Sequence, residues 1–165
     1  MPVRRPIWEM PIPEMIAPRS GTGSEARAEA VASAGMARIL PPLDGPDAPF
    51  WTSGRDGALR VARCEACDRW IHPATDACDA CGRALTWEPV SGRGTVFTFT
   101  VNHQPFNPEL AVPYVIALVQ LDEQADLRIP TNIVDCDPAA VVIGMPVTVQ
   151  FEQQGEVFFP LFAPA

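Results

Sequence analysis

The chain has 165 residues, 47% of them apolar, and a formal net charge of −8. That suits one ordinary domain, or a small one with an appendage, and no apolar run approaches the roughly 20 residues of a membrane helix. All 12 basic residues are arginine, which removes Schiff-base chemistry, a lysine general base and the phosphate-loop lysine together. There are two histidines, His72 and His103, little material for a triad or a histidine metal cluster. Residues 1–40 hold five Arg and four Glu, whereas residues 41–165 hold seven Arg against 16 acids. So acidic a body lacks the basic footprint that nucleic-acid binding needs.

In chain order, the first 45 residues read as an N-terminal arm. Nine of the 19 prolines lie in residues 1–49, and closely spaced prolines forbid a continuous helix. Ser24 to Ala34, ended by Gly35, reads as a short alanine-rich helix. Ile7, Trp8, Met10, Ile12, Met15 and Ile16 make the arm stickier than a spacer, as expected of a segment that orders on a partner. The start carries two arginines but no uninterrupted apolar stretch, so it does not resemble a secretory signal, and a cytoplasmic protein is expected.

From Pro46 the texture changes. Asp47 to Gly54 reads as a short helix with Asp47 as its cap and Pro49 in its first turn, and Leu59 to Ala62 as a short strand. Two C-x-x-C pairs follow, Cys64/Cys67 and Cys78/Cys81, separated by ten residues. Two residues between cysteines let both sulfurs reach one ion from a tight turn, and two such knuckles complete a tetrahedral thiolate site. Each knuckle needs a residue tolerant of positive φ after its second cysteine; Asp68 and Gly82 stand there. Four cysteines leave no position for water or substrate, so the metal is structural. Rubredoxin-type iron uses similar knuckles, so zinc and iron both remain open at this point. Arg60, Arg63, Arg69 and Arg83 lie near enough in sequence to offset the thiolate charge. The odd cysteine count speaks against a disulfide framework, and Cys136 reads as a thiol apart from the cluster. His72 reads as a surface residue of the ribbon and His103 as a strand-end residue.

Residues 87–165 are punctuated by strands. Thr95 to Val101 alternates, with Phe97, Phe99 and Val101 on one face. Tyr114 to Leu121 is continuously apolar, as in a strand buried on both faces. Leu127 to Val134, Pro146 to Glu152 and Glu156 to Phe162 supply three more. Five short strands without a long helix predict a mainly β chain with a five-stranded antiparallel barrel of OB-fold type. The division is an arm (1–45), a short helix plus metal ribbon (46–86) and a barrel (87–165).

The run from Phe50-Trp51 through Cys64/Cys67 and Cys78/Cys81-Gly82 to Trp87-Glu-Pro-Val-Ser-Gly-Arg-Gly-Thr-Val96 resembles the zinc-ribbon/OB-fold family described as a domain of unknown function. Tyr114 to Leu121, Thr131-Asn132, Ile143 to Val147 and Phe159-Pro160 continue the likeness, which covers about residues 46–165. The resemblance implies an N-terminal helix, a rubredoxin-like zinc ribbon and a C-terminal OB barrel. It also implies an accessory role beside thiolase-superfamily enzymes that act on acyl-CoA. Such partners include acetoacetyl-CoA thiolases coupled to hydroxymethylglutaryl-CoA synthase, and lipid-transfer-type thiolases acting as retro-aldolases on steroid side chains, the latter often with a hydratase-like protein. Only the four cysteines carry over as site residues. A CoA ester is then the expected ligand of the assembled complex, and Arg55, Arg60 and Arg63 are where this acidic body would meet its phosphates. The alternative role of those arginines is to balance thiolate charge. An OB module binding single-stranded nucleic acid by stacking on Phe97 and Phe99 is the competing reading.

Overall fold

The computed structural model describes residues 38–106 and 111–165. The expected arm lies almost wholly outside them, as does the expected helix over Ser24 to Ala34. Arg38 and Leu43, at the inner end of residues 1–45, pack on the barrel: Arg38 bonds Asn132 and Glu152, and Leu43 meets the apolar cluster of Val157, Phe159 and Leu161.

The predicted short helix is α1 (Ala48–Thr52), continued by a 3-10 turn over Ser53–Asp56. Asp47 does not cap it by its side chain; the carboxylate instead accepts from the Trp51 indole N–H at 2.8 Å. A five-residue helix makes little stability by itself. It is held because Phe50 is buried in the same core as Leu59, Val61 and the barrel interior.

The ribbon is a three-stranded sheet in the order β2-β1-β3, built from β1 (Arg60–Cys64), β2 (Arg69–Ile71) and β3 (Thr86–Pro89). The strands β4 (Arg93–Asn102), β5 (Tyr114–Leu121), β6 (Arg128–Ile133), β7 (Pro146–Gln154) and β8 (Val157–Pro164) close a barrel in the order β4-β5-β6-β8-β7. The five-stranded OB barrel is therefore present, with one departure from a purely antiparallel reading. The contact of β6 with β8 is parallel, and it rests on the single pair Ile133 and Phe162. Phe162 is fully buried there, and its carbonyl accepts from the Val134 N–H at 2.9 Å.

Two expectations about faces are corrected. Phe97, Phe99 and Val101 do not share a face, because the β4–β5 register shifts between Val96 and Thr98. The bulge changes the phase, so Val96 is buried, Phe97 turns out to 41% exposure, and Phe99 and Val101 pack on the core again. Likewise β5 is not buried on both sides. Val115, Ala117, Val119 and Leu121 face the core, while Ile116 on the other side is 43% exposed. Gly94 is required where β4 and β5 approach closest, since a Cβ there would stand 2.4 Å from the Gln120 carbonyl oxygen.

Candidate metal centre

The four cysteines of the two knuckles are brought to one point. Cys64 ends β1, Cys67 and Asp68 follow in the turn to β2, and Cys78 to Gly82 form the second turn ahead of β3. Both knuckles use the left-handed residue that their spacing demands, with φ of 51° at Asp68 and 70° at Gly82. The second turn is closed by Gly82 N–H donating to the Cys78 carbonyl at 2.8 Å and Cys78 N–H to the Arg83 carbonyl at 2.8 Å.

One donor atom from each cysteine lies within 4.8 Å of every other. The Cys64 and Cys81 sulfurs are 3.5 Å apart and those of Cys67 and Cys78 3.9 Å. Sulfurs placed about 2.3 Å from the centre of a tetrahedron are separated by about 3.8 Å, whereas a disulfide needs about 2.05 Å. The geometry fits a tetrahedral tetrathiolate ion site and no disulfide. Hydrogen bonding from Cys81 and then Cys64 pushes the Cys67 thiol up to about 12. Cys78 is drawn down to about 7, first by the Ala80 backbone N–H. Cys64, Cys67, Cys78 and Cys81 would hold a divalent cation as thiolates and would fill its four positions, leaving none for water. Such a centre builds the ribbon and does no chemistry.

The arginines around the centre are mostly committed. Arg60 makes a two-point pair with Asp56 at 2.8 and 2.7 Å, and Arg63 joins Glu88 at 2.7 Å and Asp68 beside the first knuckle. Arg69 lies 3.6 Å from Asp126. Among the described residues Arg55 and Arg83 make no ion pair, and both are exposed.

His72 is half-buried against the helix rather than standing free on the ribbon surface. Its ring lies 4.7 Å from that of Phe50, and burial pushes the imidazole down to about 4 against the pull of the Asp47 carboxylate. His103 follows β4 and is exposed. Cys136 is half-buried against the barrel core, away from the centre, and burial raises its thiol. The pair proposed for base stacking is split by the bulge, and Phe97 is covered on one side by the Arg128 guanidinium at 3.5 Å.

Two features escape sequence reasoning. In the turn after β5, Gln124 clasps the ribbon, accepting from the Trp70 N–H at 2.9 Å and donating to the Trp70 carbonyl at 3.0 Å. An apolar groove of about 410 Å3 lies outside the β6–β8 contact, between Ile116, Pro130, Phe159 and Leu161. Arg38 crosses it, 5.3 Å over the Phe159 ring and donating to Asn132 Oδ1 at 2.7 Å. The continuous apolar run of β5 was the available signal for the groove, because half of that run has to face outward. Among the described residues no helix is long and apolar enough to cross a membrane.

Residues 51–88 match the family model of the ChsH2 rubredoxin-like zinc ribbon domain, and residues 87–152 that of the ChsH2 C-terminal OB-fold domain. A probable enoyl-CoA hydratase alpha subunit of Thermomonospora curvata is 37% identical over 131 residues, 78% of this chain and 40% of that protein. A DUF35 domain-containing scaffold protein of Methanocaldococcus jannaschii is 40% identical over 94 residues, 55% of this chain and 65% of that protein. The chain thus spans less than two thirds of either relative. A chain of the solved Ltp2-ChsH2(DUF35) aldolase superposes with a TM-score of 0.66 at 34% identity, over 75% of this chain and 98% of that one. Between the ions the spacing left open, the zinc-ribbon match and the four converging thiols assign structural zinc. With zinc ribbon and OB barrel matched in sequence order, this chain belongs to the ChsH2/DUF35 family.

Proposed function

We propose that the chain is a non-catalytic accessory subunit that docks on a thiolase-type enzyme in the cytoplasm and helps organise that enzyme's acyl-CoA site. The observation that carries this reading is the saturated tetrathiolate centre, the one cluster of metal-ligating side chains among the described residues. The other reactive groups point the same way. His72 is held neutral against Phe50, His103 stands alone and exposed, and the chain has no lysine. Thiolysis and retro-aldol cleavage need a nucleophile or a base within reach of the substrate, and such groups come from the partner. Two relatives support an assembly with an enzyme, one being named as a hydratase alpha subunit and the other as part of an aldolase. A lipid or steroid acyl-CoA is the substrate class that this reading carries to the complex, with a hydratase-like protein as a further partner.

Of the three arginines proposed to meet CoA phosphates, Arg55 is the one ready to do so. Arg60 and Arg63 would have to give up Asp56 and Glu88 first. The test is to co-express the full chain with thiolase-type and hydratase-type subunits from the same genome and measure mass by light scattering across a sizing column. Co-elution with one of them in fixed stoichiometry is expected. Failure of every such subunit to bind at micromolar concentration would overturn the reading.

A further inference from the structure

We infer that the outer barrel face around Phe97, Ile116, Ile143 and Arg128 is the surface covered by the enzyme partner, and that the partner opposes Arg128 with a carboxylate set in an apolar patch. This rests on the accessory reading above and adds to it which face is used and what chemistry meets it.

The face is assembled by the bulge and by the outward side of β5. Phe97 is 41% exposed, Ile116 43% and Ile143 69%. Ile116 stands between Thr100 of β4 and Asn132 of β6, and the next outward row joins Thr98, Leu118 and Pro130. The loop ahead of β7 is seated beside the bulge, with Gly144 N–H donating to the Val96 carbonyl at 2.8 Å and Val96 N–H to the Met145 carbonyl at 3.0 Å. That sets the Ile143 backbone beside the bulge that turns Phe97 outward, with the Ile143 side chain exposed. Large apolar side chains gathered in this way mark an interaction surface rather than scattered surface hydrophobics.

Charge selects the occupant. The chain carries 20 acidic residues, yet β4, β5, β6 and β8 contain none. Arg128 lies 3.5 Å over Phe97 and makes no ion pair among the described residues. A carboxylate is the acceptor that satisfies a guanidinium best. A second copy is the poorer complement, because its matching patch is built from the same strands β4, β5, β6 and β8, which carry no acid. The complement is therefore a different protein, apolar with an acidic side chain. An arginine framed by apolar anchors is also the composition of interface hot spots.

The test uses the full chain and the enzyme subunit that co-elutes with it in the preceding experiment. Dissociation constants are measured for wild type, Ile116→Glu, Ile143→Asp, Arg128→Gln and Arg83→Gln, with zinc content and thermal unfolding checked for each. The first three are expected to weaken binding about tenfold or more, the size of effect hot-spot positions show. Arg83→Gln makes the same change in charge on the ribbon and should leave binding within about twofold, the spread of an interface-neutral change. A photo-crosslinking residue at position 143 should join the partner, and one at Thr75 should not; this readout survives if a substitution lowers stability. Undiminished binding by the three face variants while wild type binds would sink this inference and leave the accessory role standing. Absence of any partner for wild type would sink both. A wild-type dimer dissolved by Ile143→Asp would assign the face to a second copy. An oligo-dT complex lost on Phe97→Ala would assign it to nucleic acid, and either result overturns the proposal.

Discussion

Replacing Gln124 by alanine should loosen the ribbon edge from the barrel without disturbing the hydrophobic core that the two share. Gln124 sits in the β5–β6 turn, 54 positions from Trp70, and its amide satisfies both backbone groups of that residue, at 2.9 and 3.0 Å. β2 is an edge strand of the ribbon sheet, so these groups have no neighbouring strand to turn to. A typical intramolecular hydrogen bond has a net worth of about 0.5–1.5 kcal/mol, which puts the pair at about 1–3 kcal/mol. Water can reach the partly buried site, so the low end of that range applies. In a domain of this size about 1 kcal/mol lowers the melting temperature by roughly 2–4 °C. Gln124→Glu keeps an acceptor for the Trp70 N–H but sets a carboxylate against the Trp70 carbonyl, so it should not restore the wild-type value. Hydrogen exchange at the Trp70 amide reads the site directly and should accelerate in Gln124→Ala while β5 and β8 amides stay protected. If the Trp70 exchange rate and the melting temperature both stay at wild-type values, the clasp does not hold the ribbon and the reasoning fails.

Cys78→Ser should lose the one zinc per chain found by elemental analysis and unfold the ribbon, since sites of this type are worth roughly 10–16 kcal/mol in peptides; Cys136→Ser should keep the metal. Gly94→Ala should cost about 1–3 kcal/mol in denaturant unfolding, because its Cβ would meet the Gln120 carbonyl at 2.4 Å and force β4 away from β5. His72 has a folded pKa of about 4, below its ordinary value of 6.5, so the unfolded chain binds a proton that the native state refuses. Its contribution is thus fully present above pH 6.5 and falls away between 6.5 and about 4, by at most about 3 kcal/mol. His72→Gln should flatten that part of the stability–pH curve relative to wild type; an unchanged slope would show that the ring is free to charge.

The ribbon and the barrel were legible because their signals are local. Cysteine spacing alone places four sulfurs at one point, and the positive φ at Asp68 and Gly82 follows from the turn each knuckle makes. Apolar runs bounded by Gly, Pro and Asp located all five barrel strands to within a few residues. What escaped depends on contacts distant in sequence. The run Thr-Val-Phe-Thr-Phe-Thr-Val can alternate in either phase, and only pairing with β5 shows that a bulge changes the phase at Phe97. β5 is apolar on both faces because one lines the core and the other a groove shared with β8, some forty positions away. β2 and β3, three and four residues long, are too short to show a period. Asp47 reads as a cap from its place before Pro49, yet its carboxylate is taken by Trp51. The CoA reading of Arg60 and Arg63 rested on nearness to the knuckles, and sequence gives no view of Asp56 and Glu88 already paired with them.

The accessory role is tested most directly by acyl-CoA turnover, measured for the purified chain alone, for the thiolase-type subunit alone, and for the reconstituted complex at matched concentrations. The chain alone should give no thiolysis or retro-aldol product, with full activity appearing only in the complex. Robust turnover by the isolated chain, abolished by His103→Ala, would contradict the account.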